Sequence, residues 1–162
     1  MRTDWVKHDD MALALRLLTP ENSLVVETCL VTGLRVSDVL SFTRYHLFAG
    51  NDIPVLEHKT RKMRTVHVPD DLLKRLNDNA GLYYVFEGAH SAYKHRTRQA
   101  VWHDVKRASK ALRLKGNLAP HSARKIYAVQ IYKEQGLEAC RKALNHNDTS
   151  TTLIYLLSEL IK

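Results

Sequence analysis

Residues 121–155, HSARKIYAVQIYKEQGLEACRKALNHNDTSTTLIY, form the most informative stretch of this chain. The stretch contains His121, Arg124, His146 and a late tyrosine, Tyr155, but no cluster of carboxylates that could carry a metal ion. A tyrosine hydroxyl can attack a phosphodiester in place of activated water, and the negatively charged phosphorane then needs several fixed donors around it. This combination of side chains therefore predicts a protein that transfers DNA strands through a tyrosine.

The composition favours a polyanionic partner. The 162 residues fit one domain, and a hydrophobic content of 44% is enough for an ordinary core. Lysine and arginine number 25 against 17 aspartates and glutamates, which gives a formal net charge of +8. A balance this basic is typical of proteins that bind nucleic acid.

The two cysteines and the hydropathy pattern indicate a cytoplasmic protein with no membrane attachment. Cys29 and Cys140 lie far apart in apolar stretches, so we expect two buried core residues in a reducing compartment. No apolar run approaches the roughly 20 residues that span a bilayer. Met1 is not followed by a signal-type hydrophobic stretch.

Hydrophobic periodicity predicts an α+β fold, mostly α-helical, with a small antiparallel β-sheet inserted after the third helix. Asp9 or Asp10 can cap the first helix, Asn22 or Ser23 the second, and Ser37 the third. The predicted helices span 11–18, 24–32, 37–42, 70–79, 95–112, 121–135, 137–144 and 149–160, and the predicted strands 53–58, 64–68 and 83–86.

The segment TGLRVSDVLSF at 32–42 places an arginine in a tight turn between two helices. Gly33 ends the predicted helix 24–32, and the N-terminal end of the following helix, with its positive dipole, lies close by. Arg35 can therefore be held rigidly toward an anion. The alternative is a solvated turn residue that pairs with Asp38.

Three motifs together resemble the tyrosine recombinase family, also called phage integrases. They are TGLRVSDVL at 32–40, HSAR at 121–124 and LNHNDTSTTLIYL at 144–156, and they occur in the order and spacing of that family. The resemblance extends from about residue 10 to 158 and implies the family's catalytic-domain fold. It also implies that residues 1–162 form a single catalytic domain, without the N-terminal clamp domain that family members usually carry.

The resemblance further implies six catalytic residues, carried over position by position: Arg35, Lys59, His121, Arg124, His146 and Tyr155. Tyr155 follows His146 by nine residues, as in the family. The implied product is a 3′-phosphotyrosyl intermediate, formed with neither a metal ion nor another cofactor. The implied partner is double-stranded DNA, on whose paired sites a protein that is monomeric in solution would assemble.

Elementary chemistry agrees with these roles. Only about one tyrosine hydroxyl in a thousand is ionised at neutral pH, so attack by Tyr155 needs a nearby base or a strong positive field. His121 is the candidate base. Arg35 and Arg124 can each offer paired donors to the nonbridging oxygens, and His146 can add one more. The departing 5′ oxygen needs a proton.

The general acid is assigned to the hairpin turn, where residues 59–64 carry four cations. Lys59 is favoured because Lys59-Thr60 resembles the family's usual Lys-Thr, and Lys62 is the alternative. A further alternative is that all four cations are solvated phosphate contacts. Such contacts would position DNA without taking part in chemistry.

A basic surface is expected to hold the DNA backbone in a salt-dependent manner. The residues predicted for it are Arg61, Lys62, Arg64, Lys94, Arg96, Arg98 and Lys106. Asn145 replaces the glycine of the family's LGH motif at a helix end, where the backbone is expected to be left-handed. Asparagine is the non-glycine residue that best tolerates that conformation.

The leading hypothesis is a site-specific recombinase or integrase catalytic domain. A type IB-like topoisomerase that nicks and reseals DNA would use the same residues, and a catalytically silent DNA-binding module would never form a covalent adduct. The sequence does not specify the DNA target, or the choice among integration, excision and dimer resolution. It also leaves open whether the C-terminal segment docks in cis or in trans, and whether the chain is part of a longer protein.

Overall fold

The computed structural model describes residues 8–114 and 116–160, and of residues 154, 155 and 157–160 it describes the backbone alone. The described chain has the predicted α+β architecture and is mostly helical. Its strands form two separate two-stranded antiparallel sheets instead of one. In chain order the elements are α1 (His8–Leu15), α2 (Pro20–Thr32), α3 (Val36–Leu40), α4 (Arg44–Leu47), β1 (Asp52–Leu56), β2 (Met63–His67), α5 (Asp70–Asn79), β3 (Glu87–Gly88), β4 (Ser91–His95), α6 (Arg98–Ala111), α7 (Pro120–Ala143) and α8 (Thr149–Leu160).

The predicted hairpin is confirmed as β1 and β2. Ile53 pairs with Val66 in antiparallel register, and Leu56 pairs with Met63 at the end of the ladder. Alternate side chains of a strand point to opposite faces, and here Ile53, Val55 and Val66 are buried. The turn that follows, residues 57–62, is the part of the hairpin that reaches the candidate site.

The predicted strand over 83–86 is wrong. Val85 and Phe86 are buried, but the backbone N–H of Val85 donates to the carbonyl of Phe42 over 2.8 Å, and Tyr84 makes one isolated bridge with Thr43. The run therefore packs against the segment between α3 and α4 and forms no ladder. The second sheet lies just beyond it, in β3 and β4.

The three predicted helix caps are wrong, for different reasons. Asp9 and Asp10 lie inside α1, in its first turn. Helix α2 starts earlier than predicted, with Pro20 in its first turn, and the Asn22 amide donates instead to the Asp104 carboxylate over 2.8 Å. Proline at the first helical position needs no hydrogen-bond partner for its nitrogen, which fixes the start. Helix α3 starts at Val36 with Arg35 in the cap position, so Ser37 lies inside the helix.

Helix α7 connects the two apolar cores. Gly136, with a left-handed φ of 83°, interrupts it where the sequence predicts a break between two helices. Ala123 and Ile126, near the start of α7, belong to the main core. Ala128 and Val129 before Gly136 and Cys140 after it form a smaller core with Leu144 and with Leu156 of α8. Cys29 and Cys140 are buried as unpaired thiols, one in each core. No helix within residues 8–114 and 116–160 has the length and apolar character needed to cross a membrane.

Candidate active site

Arg35 is positioned by the tight turn that ends α2. Gly33 adopts a left-handed conformation, with φ of 66°, and its N–H donates to the carbonyl of Cys29 over 2.9 Å. A Cβ at Gly33 would lie 2.3 Å from the ring of Tyr127, so a glycine is required there for steric reasons as well. The chain then turns so that the Arg35 guanidinium, 19% exposed, faces the hairpin.

Arg124 approaches the same place from the first turn of α7. Its side chain is only 2% exposed. One terminal nitrogen donates to the carbonyl of Gly33 over 2.7 Å, and the other donates to the carbonyl of Leu144 over 2.8 Å. These two bonds tie the N-terminal end of α7 to the end of α2 and to the segment that precedes α8.

A buried glutamate lies between the two arginines. The Glu57 carboxylate, at the start of the hairpin turn, is fully buried and accepts from Arg35 Nη1 over 2.9 Å. Its other oxygen lies 3.9 Å from Arg124 Nη1. No sequence motif predicts this residue, because nothing in the local pattern distinguishes a buried glutamate at the end of a strand from an exposed one.

Asp38 is a second buried acid that links the arginine turn to the hairpin. Its Oδ1 accepts from the backbone N–H of His58 over 2.9 Å, and its Oδ2 lies 3.9 Å from Arg35 Nη1. The predicted alternative is a solvated Arg35 that pairs with Asp38. The pair is present, but the solvation is not. Arg35 is largely covered, and Glu57 is its closer partner.

The hairpin turn presents its two lysines differently. Lys59 is exposed at the tip, and its positive charge contributes, after those of Arg124, Lys125 and Arg35, to the lowered pKa of His121. Lys62 Nζ donates instead to the side-chain oxygen of Asn147, in the loop before α8. Arg61, which has a left-handed φ of 56°, is also exposed.

His121 follows Pro120 at the start of α7, beside Arg35 on the wall of a cavity of about 410 Å³. Loss of hydration, followed by the positive charges of Arg124 and Lys125, lowers the pKa of His121 to about 4. The imidazole is therefore neutral at pH 7. A neutral imidazole can accept a proton.

His146 lies beyond the C-terminal end of α7. Asn145 has the predicted left-handed backbone, with φ of 57°, and the N–H groups of Asn145 and His146 close the helix end onto the carbonyls of Lys142 and Arg141. The Nδ1 atom of His146 is 3.0 Å from the Thr152 hydroxyl of α8. Loss of hydration lowers the pKa of His146 to about 4, with Arg124 as the next cause.

Tyr155 belongs to α8, three positions after Thr152. Its side chain lies outside the described residues. The described structure brings Arg35, Arg124 and the hairpin turn together, with both histidines near them, and this is the geometry on which the candidate site rests.

The predicted DNA-contacting residues fall into two groups. Arg61, Lys62, Lys94 and Arg98 are exposed, and Arg98 also lines the cavity that contains Arg35 and His121. The second group is half-buried and hydrogen-bonded within the protein. In it, Arg96 donates to Asn22, and Lys106 donates to the Leu118 carbonyl and to Asn117.

Arg64 does not lie on the predicted surface. Its side chain is 9% exposed, and its guanidinium donates to Glu57 over 3.4 Å and to the carbonyl of Thr32. Arg64 is therefore largely covered, and its contact with DNA stays a prediction. Strand β2 turns this residue toward the buried glutamate, and nothing in the spacing of the basic residues distinguishes it from its exposed neighbours.

Solved structures of known recombinases share this fold. A lambda integrase dimer bound to a COC′ core site superposes on 96% of this chain and 48% of that one, with a TM-score of 0.81 and 18% identity. The catalytic domain of bacteriophage HP1 integrase superposes on 98% of this chain and 90% of that one, with a TM-score of 0.72 and 21% identity. At these identities the similarity shows a common fold.

Sequence comparison identifies the family. The tyrosine recombinase of Thermosipho africanus is 28% identical over 94% of this chain and 56% of its own length. Tyrosine recombinase XerH of Campylobacter jejuni is 23% identical over 85% of this chain and 41% of its own length. The chain thus spans about half the length of these relatives. Residues 6–159 match the model of the phage integrase family, and the chain belongs to that family.

Proposed function

We propose that this chain is the catalytic domain of a site-specific DNA recombinase or integrase. The observation that carries the proposal is the convergence of Arg35 and Arg124 on one point between the α2 turn and the hairpin, with two neutral histidines beside them. Two guanidinium groups held in this way form a preorganised site for a phosphate that gains negative charge.

In the proposed first step, the Tyr155 hydroxyl attacks the scissile phosphorus. The bond between the tyrosine oxygen and phosphorus forms as the bond to the 5′ oxygen breaks. His121 takes the tyrosine proton, and Lys59 gives a proton to the departing 5′ oxygen. The product is a 3′-phosphotyrosyl linkage and a free 5′ hydroxyl, and attack by a 5′ hydroxyl of another strand reverses the step.

Arg35, Arg124 and His146 are proposed to donate hydrogen bonds to the nonbridging oxygens. Their positions support this role, because Arg124 is fixed by two backbone carbonyls and His146 by the closed end of α7. A guanidinium that is already oriented loses little entropy when the phosphate arrives. With a pKa of about 4, His121 is in the neutral form that can accept a proton at pH 7.

The proposed partner is double-stranded DNA, bound across the cavity by Arg98 and the exposed cations of the hairpin turn. Known structures with this fold include lambda integrase as a dimer bound to a core site and as a tetramer bound to a Holliday junction. By analogy, we propose that the chain acts as a multimer assembled on paired DNA sites, is monomeric without DNA, and works in the cytoplasm.

The test is trapping of the covalent intermediate. The protein is incubated with a duplex nicked near the cleavage site, from which the short fragment that carries the free 5′ hydroxyl diffuses away. A denaturation-resistant protein–DNA adduct is then sought. We expect an adduct with the wild type and none with Tyr155→Phe. An adduct that persists in Tyr155→Phe would contradict the assignment of the nucleophile.

A second assay with two distinguishable duplexes tests the recombinase assignment. Exchange of strands between the duplexes is expected of a recombinase. Cleavage with resealing of the same strand alone would contradict recombination and indicate a topoisomerase. Tight DNA binding with no adduct on any substrate would indicate a binding module.

A further inference from the structure

The Glu57 carboxylate is a point of contact for three arginines from three separate segments. Arg35 comes from the turn after α2, Arg64 from β2, and Arg124 from α7, and their nearest nitrogens lie 2.9, 3.4 and 3.9 Å from its oxygens. The hydroxyl of Thr60 adds a fourth donor at 2.9 Å. Glu57 is thus in contact with both arginines proposed to bind the scissile phosphate.

The backbone of Glu57 is also firmly held. Its N–H donates to the carbonyl of Lys62 over 3.0 Å, and its carbonyl accepts from the N–H of Arg61 over 2.9 Å. The side chain is fully buried, so its hydrogen bonds are not exchanged for bonds to water. The carboxylate is therefore a fixed anchor in the hairpin.

The charges around Glu57 show why such an anchor is needed. Two guanidinium groups that converge on one phosphate site repel each other before DNA arrives, and this repulsion is strong where water is excluded. A carboxylate between them offsets the repulsion and fixes their orientation. Arg64 contributes a third positive charge at the same carboxylate but does not face solvent.

We propose that Glu57 is a positioning residue, which holds the guanidinium groups of Arg35 and Arg124 in the arrangement that receives the scissile phosphate. This inference rests on the proposed function, because it assumes that both arginines act on that phosphate. Glu57 itself does not touch the substrate. Its effect reaches the reaction through the two arginines.

The test compares Glu57→Gln with wild type on two substrates. One is an ordinary duplex, and in the other a methyl group replaces one nonbridging oxygen of the scissile phosphate. The phosphorane of the methylphosphonate carries less negative charge, so aligned guanidinium groups contribute less to its formation. If Glu57 acts by aligning the arginines, its substitution should slow cleavage more on the ordinary duplex than on the methylphosphonate. If its role is merely structural, cleavage of both substrates should slow equally.

We expect Glu57→Gln to slow cleavage of the ordinary duplex by about 100-fold, the loss typical when one preorganised donor to a developing negative charge is removed. On the methylphosphonate the loss should be several times smaller. Glu57→Asp, which keeps the charge but shortens the reach, should lie between wild type and Glu57→Gln. Equal losses on both substrates would overturn the proposal.

Glu27→Gln serves as the matched control. Glu27 forms the same kind of pair, with Arg75 Nη1 and Nη2 at 2.7 and 2.5 Å, away from the candidate site. We expect this variant to cleave both substrates at wild-type rates. Urea unfolding of all variants identifies any loss of activity that merely follows loss of folded protein.

A measurement without DNA separates this inference from the proposed function. Side-chain NMR signals of the arginines report whether each guanidinium is held or rotates freely. In Glu57→Gln we expect the Arg35 signal to become that of a mobile side chain, with Arg75 unchanged. An Arg35 signal that stays the same would overturn the positioning role, whether or not the wild type forms a covalent adduct.

Discussion

At the residue scale, Gly33 has the most restrictive environment in the candidate site. Its left-handed backbone turns the chain toward Arg35, its carbonyl accepts from Arg124, and its Cα faces the ring of Tyr127. One residue thus links the two proposed phosphate-binding arginines. The chain offers a natural comparison in Gly50, which has a φ of 76° but open space around its Cα.

We expect Gly33→Ala to destabilise the protein more than Gly50→Ala. Both variants place a side chain in the left-handed region, which costs about 1–2 kcal/mol. Only Gly33→Ala also forces a methyl group against an aromatic ring, and overpacking of this kind adds about 1–3 kcal/mol. Urea unfolding of the two variants measures the difference, and equal losses would show that the Tyr127 ring moves aside freely.

His121 gives a prediction about pH, also at the residue scale. Its pKa is about 4, so the neutral, proton-accepting form persists well below pH 6.5. At pH 5 about nine-tenths of an imidazole with a pKa of 4 is neutral, compared with only about 3% of one with the ordinary pKa of 6.5. We therefore expect cleavage at subsaturating DNA, which reports on the free protein, to change little between pH 7 and pH 5.

The measurement is the initial rate of adduct formation across that range, with circular dichroism at each pH to verify folding. A tenfold fall in rate for each pH unit below 6.5 would mean that the proposed base has an ordinary pKa. His146, whose pKa is also about 4, predicts the same flat profile. The expectation therefore holds for the histidine pair.

At the element scale, the hairpin turn separates its two lysines into different roles. Lys59 is exposed at the tip and its charge helps to lower the pKa of His121, whereas Lys62 contacts Asn147 in the loop before α8. The proposed general acid is Lys59. A 5′-bridging sulfur provides the test, because a thiolate departs without a proton whereas an alkoxide needs one.

We expect Lys59→Ala to slow cleavage of an ordinary duplex by about 100- to 10,000-fold, the usual range for general acid catalysis, and the bridging sulfur to restore most of the rate. Lys62→Ala should slow cleavage of both substrates by a similar and smaller factor. It removes the contact with Asn147 but leaves the general acid, Lys59, in place. Rescue by sulfur in Lys62→Ala, and not in Lys59→Ala, would transfer the role to Lys62.

Elements also show what local sequence could and could not predict. The left-handed turn at Asn145 and the break at Gly136 follow from the conformational preferences of single residues, and both were predicted. The predicted cap at Asn22 is wrong, because the amide of Asn22 binds Asp104, 82 positions later in the chain. Capping by a side chain contributes about 1 kcal/mol, and a hydrogen bond to a buried carboxylate easily outweighs it.

At the scale of the whole molecule, the same distinction applies to the candidate site. Arg35, Arg124 and His146 each lie in a short sequence motif, so a local pattern is enough to predict them. Glu57 and Arg64 depend on contacts among α2, β2 and α7, which no local pattern encodes. A basic residue in a cationic hairpin was therefore predicted to face DNA, although Arg64 faces the interior.

Charge distribution over the whole molecule gives the last prediction. The formal net charge of +8 favours DNA binding, but only cations that reach the phosphates release counterions. Of the predicted contacts, Arg98 is exposed and lines the cavity next to Arg35. Arg75 is a suitable control, because it carries the same charge but is paired with Glu27 elsewhere.

We expect Arg98→Ala to reduce the slope of log affinity against log salt concentration by about one, the contribution of one phosphate contact. Arg75→Ala removes the same charge and should leave the slope unchanged, because its position contributes no phosphate contact. Binding is measured by fluorescence anisotropy in the Tyr155→Phe background, so that cleavage does not interfere. If both variants lower the slope equally, net charge rather than the surface around Arg98 governs the association, and the DNA lies elsewhere on the molecule.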